Sequence, residues 1–223
     1  MQVAIDGPAG SGKSSVCKII AEKYSLTYID TGAMYRSIAW ISIHFGEDNL
    51  VEKAGNTEFI LEDNGRKISV KYDNNVYDLT KEIRMPEISA KVAFAASNRD
   101  IRKILVKKQQ AFAEGSDVIM EGRDITTVVL PNADIKIYLT ASPEERAKRR
   151  FKEWESMEQN EEYAKVLEEI KKRDEMDMSR KESPLLQSED AVLLDTTGLS
   201  LEQVADKIGE MIISYKNKKY KVI

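Results

Sequence analysis

The stretch Gly7-Pro8-Ala9-Gly10-Ser11-Gly12-Lys13-Ser14 constrains this chain more than any other part of it. It fits G-x-x-x-x-G-K-[ST] at every position. Its surroundings fit as well: the apolar run 2–6 reads as a buried strand, and Val16, Ile19, Ile20 and Ala21 fall at helical spacing between 13 and about 24. Glycines let the backbone turn tightly enough for several amide N–H groups to face one phosphate. The helix N-terminus adds the positive end of its dipole. Residues Gly7 through Ser15 are therefore the candidate nucleoside-triphosphate site, with Lys13 reaching the outer phosphates and the Ser14 hydroxyl available to Mg²⁺. The motif predicts nucleotide binding and leaves the reaction open.

The same alternation of strands and helices continues. A second strand is expected at 26–29, ending at Asp30-Thr31-Gly32, and a helix from 33 to about 45. Residues 46–80 carry Gly and Asn between short strand-like pieces such as Lys67-Ile68-Ser69-Val70, which predicts a small β-containing insertion. Helical pattern returns over 87–113, with a break near Ser97-Asn98-Arg99. The runs 117–120, 135–139 and 191–195 read as buried parallel strands. Ser142-Pro143-Glu144-Glu145 is a helix start, and a last helix follows Ser200. The charged run 161–173 reads as a solvated helix face with Tyr163, Val166, Leu167 and Ile170 as its apolar stripe. The fold class is thus α/β, a parallel sheet flanked by helices, whose active crevice is expected at the carboxyl ends of the strands.

The chain has 223 residues, enough for one sizeable core with a smaller inserted or mobile piece. Its 34 basic and 38 acidic residues give a net charge of −4, so no global basic field for nucleic acid exists. The single cysteine, Cys17, excludes an intrachain disulfide and reads as a small core residue. No apolar run is long enough to cross a bilayer and no secretory signal opens the chain, so a cytoplasmic protein is expected, working as a monomer on small molecules without nucleic acid or membrane. The basic tail from Lys216 reads as a solvated terminus.

Two uses of the nucleotide compete: hydrolysis in a switch or motor, and phosphoryl transfer to a small acceptor. No N-K-x-D base-reading motif accompanies the loop. Transfer between two anions requires several cations in a water-poor cleft, and arginine suits that task because it stays charged and grips phosphate through two N–H groups. Arg36 stands one helical turn beyond Asp30-Thr31-Gly32, Arg123 follows a buried strand, Arg146, Arg149 and Arg150 share one helix, and Arg173 and Arg180 lie further on. Asp30 and Asp124 either support Mg²⁺ through waters or orient these arginines. His44, the one histidine, is not read as catalytic, and Trp154 is read as packing rather than as a stacking platform.

Taken together, Ile5 to Ser14, Asp30-Thr31-Gly32-Ala33-Met34-Tyr35-Arg36, Ile83 to Ser89, Glu121-Gly122-Arg123-Asp124, Ser142 to Arg150 and Asp195-Thr196-Thr197 resemble bacterial cytidylate kinase, in the family's order over nearly the whole chain. The resemblance implies transfer of the γ-phosphoryl of MgATP to CMP or dCMP. It implies a core (1–35, 91–144 and 186–223), a monophosphate-binding insertion (36–90) and a lid (145–185). It places Thr31, Arg36 and Arg123 at the acceptor phosphate. Arg102, Asp124 and Arg180 would meet the base, and Arg173 and Asp177 the sugar. Arg146 and Arg149 become lid contacts to phosphate that approach on closure, and Lys13, Arg123, Arg146 and Arg149 form the catalytic set. One departure stands out: the family's Ala-Ser-Lys-Val reads Ser89-Ala90-Lys91-Val92 here. Ser89 either supplies the base-contacting hydroxyl from the neighbouring position or leaves that contact unmade.

Overall fold

The computed structural model describes residues 1–155 and 162–220, and for Pro86, Ser89, Glu153, Trp154, Glu155 and Tyr220 the backbone alone. The expectations for the Ser89 and Trp154 side chains and for Glu161 lie outside what is described.

Five strands, β1 (Gln2–Asp6), β2 (Thr27–Asp30), β6 (Val118–Gly122), β7 (Ile135–Thr140) and β8 (Val192–Asp195), form one sheet in the order β2-β6-β1-β7-β8. Every pairing is parallel. β1 is central, and its successive side chains point to opposite faces, both of them covered. Val3 and Ile5 pack with Val16, Cys17 and Ile20 of α1 (Lys13–Tyr24) and with Val204, Ile208 and Ile212 of α8 (Leu201–Tyr220). Ala4 points to the other face, against Ile29, Met120, Ile125 and Val129. Among the described residues no helix is long and apolar enough to cross a membrane.

α2 (Thr31–Phe45) starts two residues earlier than its apolar periodicity predicts, because Asp30 is its N-cap and accepts from the Ala33 amide at 2.9 Å. α3 (Leu50–Asn56) and the antiparallel strands β3 (Glu58–Glu62), β4 (Lys67–Tyr72) and β5 (Asn75–Asp78) form the expected insertion. It has no core of its own. Phe59, Ile68 and Val70 share one buried cluster with Ile38 and Ile41 of α2, Ile88 and Val92 of α4 (Pro86–Ser97), and Ile101 and Leu105 of α5 (Arg99–Ala113). Both expected boundaries of the insertion therefore fall inside continuous helices. The break between α4 and α5 sits where expected: the Asn98 side chain accepts from the Asp100 and Ile101 amides at 3.0 and 3.1 Å, which caps α5.

The β3–β4 turn is docked on the open edge of the core sheet. The Asn64 carbonyl accepts from the Tyr28 amide at 3.3 Å, and its side-chain amide donates to the Leu26 carbonyl at 2.8 Å. Asn64 thus occupies β2's unpaired edge. The next residue must be glycine: Gly65 has φ +81, and a Cβ there would stand 1.7 Å from the Tyr28 carbonyl oxygen.

The segment expected as a lid carries two helices, α6 (Pro143–Glu155) and α7 (Tyr163–Met178). Ser142 opens α6, accepting from the Glu145 amide at 3.2 Å. Ala147, Val166 and Ile170 bury the contact between the two helices, with Ala9 of the glycine-rich loop packed against them.

Candidate active site

The glycine-rich loop leaves the end of β1 and enters α1, opening on a cleft of about 870 Å³ at the carboxyl edge of the sheet. Its lining runs from Ala9 to Ser15, across Asp30, Thr31, Tyr35 and Arg36, to Arg102, Arg123, Asp124, Arg149, Arg173, Asp177 and Arg180. Lysines and arginines outnumber carboxylates along this lining although the whole chain carries −4. The cleft is therefore a local anion site inside an acidic protein.

Lys13 is 5% exposed, and its ammonium donates to the Gly7 and Pro8 carbonyls, both at 2.8 Å, and to the Ser11 hydroxyl at 3.3 Å. Burial, helped by the nearby Arg123 charge, lowers its pKa to about 7. An anion in the loop would reverse that shift by favouring the charged form. Behind the loop, the Glu121 carboxylate accepts from the Tyr28 hydroxyl, and the nearby Ser14 hydroxyl favours its charge. Burial and the Asp30 charge raise the Glu121 pKa.

Asp30 and Asp124 each pair with an arginine. Asp30 accepts from Arg36 Nη2 at 2.8 Å. Burial pushes the Asp30 carboxyl up, but Arg36 and the Ala33 amide outweigh burial and leave it below the usual range. Asp124 accepts from Arg102 Nη2, while Arg102 Nη1 donates to the Ala96 carbonyl at 3.2 Å. The Arg102 guanidinium lies 5.5 Å from the Tyr35 ring centre. Arg123 Nε donates to Asp177 at 2.9 Å, and Arg173 Nε reaches the same oxygen at 3.4 Å. Burial opposes the Asp177 charge, yet Arg123, Arg173 and Arg180 hold its carboxyl low. The Thr31 hydroxyl donates to the Glu121 carbonyl at 2.7 Å, so only its acceptor side faces the cleft.

Arg146 and Arg149, expected to approach phosphate only on closure, are placed differently. Both already touch the loop. Arg149 lines the cleft, with Nη1 3.4 Å from the Ser11 carbonyl and Nη2 donating to the Thr196 carbonyl at 2.7 Å. Arg146 lies outside the lining. It donates to Asp174 through Nη1 at 3.0 Å and Nη2 at 2.6 Å, and to the Ala141 and Ala9 carbonyls at 2.9 and 3.1 Å. Its guanidinium joins α6, α7 and the loop, and is a brace rather than a cleft cation.

Several lining residues received no role from the sequence: Tyr35, Glu121, Arg84, Thr196 and the apolar group Leu199, Leu201 and Val204. Glu121 carried one legible signal, a carboxylate closing the apolar strand Val118-Ile119-Met120. Leu199 to Val204 carried none, since they look like the start of an amphipathic helix. Among the described residues no group of three or more His, Cys, Asp or Glu is arranged to hold a metal ion. The loop's own donor set, the Ser14 hydroxyl beside Glu121, still fits Mg²⁺, which keeps phosphate and water ligands and needs few protein groups.

A family model described as cytidylate kinase matches residues 3–214. The chain is 47% identical over 219 residues to the cytidylate kinase of Bacillus subtilis, covering 95% of this chain and 96% of that protein. It is 47% identical over 218 residues to the cytidylate kinase of Caldanaerobacter subterraneus subsp. tengcongensis, covering 95% and 94%. The crystal structure of an uncharacterized protein from Eubacterium ventriosum shares the fold at a TM-score of 0.57 and 16% identity, over 96% of this chain and 98% of that one.

Proposed function

The chain belongs to the cytidylate kinase family, and from that premise we propose how its cleft moves the γ-phosphoryl of ATP to CMP or dCMP, giving ADP and the diphosphate. One observation carries the reading of the acceptor end. The Arg180 Nε and Nη2 atoms and the Tyr35 hydroxyl are buried without a hydrogen-bond partner, beside Arg102 and Asp124. Buried donors left unpaired cost about 1–3 kcal/mol each, and a polar ligand that satisfies them recovers that cost.

In this scheme the amides of Gly7 to Ser15 and the Lys13 ammonium hold the donor's phosphates. The donor base lies against Leu199, Leu201 and Val204 at the loop's mouth. Arg36, Arg123 and the Thr31 oxygen meet the acceptor phosphate; Arg102, Asp124 and Arg180 meet the cytosine; Arg173 and Asp177 meet the sugar. Ser14 would ligate Mg²⁺, which supplies charge neutralisation across the donor phosphates. An acceptor phosphate oxygen attacks the γ-phosphorus as the bond to the β-bridging oxygen breaks and ADP leaves. That oxygen is ionised near neutral pH, so no strong general base is required. Lys13, Arg123 and Arg149 neutralise the transferring group, and Arg146 supports them by bracing the lid on the loop. The core is 1–35, 91–144 and 186–223, the acceptor insertion 36–90, and the lid 145–185. We read the protein as a cytoplasmic monomer.

A coupled assay for ADP tests this directly. Strong turnover is expected with CMP and dCMP, little with UMP or AMP, and none without acceptor. Turnover confined to a different acceptor, or hydrolysis that ignores the acceptor, overturns the reading. Arg180→Ala is expected to lower kcat/KM for CMP by roughly 10- to 100-fold, as loss of a charged hydrogen-bond donor predicts, and to leave the ATP KM within about twofold. An equal loss for both nucleotides would remove Arg180 from base recognition.

A further inference from the structure

Asp6 is the last residue of β1 and stands immediately before the phosphate loop, yet its carboxylate is committed to a different segment. Oδ1 accepts from the Ile125 amide at 2.8 Å. Oδ2 accepts from the Thr126 amide at 2.8 Å and from the Thr126 hydroxyl at 2.7 Å. Asp6 is fully buried and Thr126 is 1% exposed.

The position of these bonds along the chain gives them a functional meaning. Asp6 pairs in register with Gly122 through the sheet. Two residues follow Gly122, Arg123 and Asp124, and the backbone then returns to the Asp6 carboxylate at 125 and 126. Both ends of this short span are thus fixed on one residue of β1. Beyond it the chain makes a wide π-type turn (Ile125–Val129), in which the Val128 and Val129 amides donate to the Asp124 carbonyl at 2.9 and 3.2 Å. Burial raises the Asp6 pKa, while the Ile125 and Thr126 donors favour its ionised form, and hydrogen bonds to an ionised acceptor are about twice as strong as neutral ones.

We propose that Asp6 is a positioning residue for acceptor recognition: its carboxylate clamps residues 125–126 so that Arg123 and Asp124 are held at a fixed distance from the donor loop that Asp6 itself precedes. This rests on the reading of Arg123 and Asp124 as acceptor contacts. Asparagine at position 6 would keep the shape but offer only one acceptor atom, turning its NH₂ toward one of these donors. In the wild-type chain the loop has its own bonds from Lys13, and because the Asp6 charge also favours the protonated Lys13, the Thr126 variants, which keep that charge, isolate the clamp from the donor loop.

The test measures CMP binding by calorimetry without ATP, binding of a non-hydrolysable ATP analogue, and steady-state rates, for wild type, Asp6→Asn, Thr126→Val and Thr126→Ser. Asp6→Asn is expected to weaken CMP binding and kcat/KM for CMP about tenfold while analogue binding changes less than about twofold. Thr126→Val should show the same pattern at about threefold, and Thr126→Ser, which keeps the hydroxyl, should match wild type. Equal loss for both nucleotides, or a lower melting temperature with CMP binding unchanged, reduces Asp6 to a support of the fold and overturns the proposal. Should Asp6→Asn not fold, the Thr126 pair decides: valine indistinguishable from serine overturns it. A wild-type chain that does not bind CMP fails the functional reading first, and the two failures are told apart by that control.

Discussion

Lys13→Ala is expected to lower CMP-dependent release of ADP by about a hundred- to a thousandfold while the chain remains folded, since a single preorganised donor at a developing charge is commonly worth 10²–10³ in rate. The ammonium is the one cation inside the phosphate loop, and its present partners are loop groups, the Gly7 and Pro8 carbonyls and the Ser11 hydroxyl. Its electrostatic partners on the sheet, Glu121 and Asp6, keep their own hydrogen bonds to Tyr28, Ile125 and Thr126 without it. Alanine suits the first turn of α1 better than a buried charge does. The donor phosphates would lose the charge that faces them, and the transferring group would lose it when it needs it most. The check is the coupled ADP assay beside a circular dichroism melt. A near wild-type rate in this variant contradicts the role given to Lys13.

Gly7→Ala is expected to lower stability sharply. Gly7 has φ +154, and a Cβ there would stand 1.9 Å from the carbonyl oxygen of Leu139 in β7. That neighbour is backbone in a central strand pair and cannot rotate aside. Strain and overpacking together cost about 3 kcal/mol. For a chain of this size that corresponds to a fall in Tm of roughly 6–12 °C. Gly55→Ala in α3 is the matched control: a Cβ there meets nothing within 4 Å, so its melt should equal or slightly exceed that of wild type. If Gly7→Ala melts within about 1 °C of wild type, the loop is not packed against β7 as described.

The elements that were legible share a property: their signals act between near neighbours in the chain. The phosphate loop, the period of α1, the break near Asn98 between α4 and α5, and the Ser142-Pro143 start of α6 all follow from backbone preference and side-chain spacing over a few residues. Arg123 could be placed near the site because it follows a buried strand whose carboxyl end must open on the crevice. The misplaced edges are equally local. β2 begins at Thr27 rather than Leu26, because the Leu26 amide still closes the end of α1 on the Ala21 carbonyl at 2.9 Å.

What stayed hidden depends on partners far away in sequence. Arg146 and Arg149 stand one turn apart on α6 and looked equivalent, yet Arg146 is bound to Asp174 while Arg149 lines the cleft. Spacing cannot distinguish them, because the difference lies in where α7 packs. The same holds for Asp6, whose two acceptor atoms meet residues 125 and 126 only because β1 and β6 are adjacent in the sheet.

By itself the sequence determined the strand–loop–helix cradle, the α/β class and the family, since these rest on motifs and periodicities written in consecutive residues. Tertiary structure alone decided which cations face the cleft, which carboxylates orient them, and that the insertion shares its core with α2, α4 and α5. The physical reason is that a side chain's charge is fixed by its chemistry, whereas its partner is fixed by the packing of elements that the chain order leaves free.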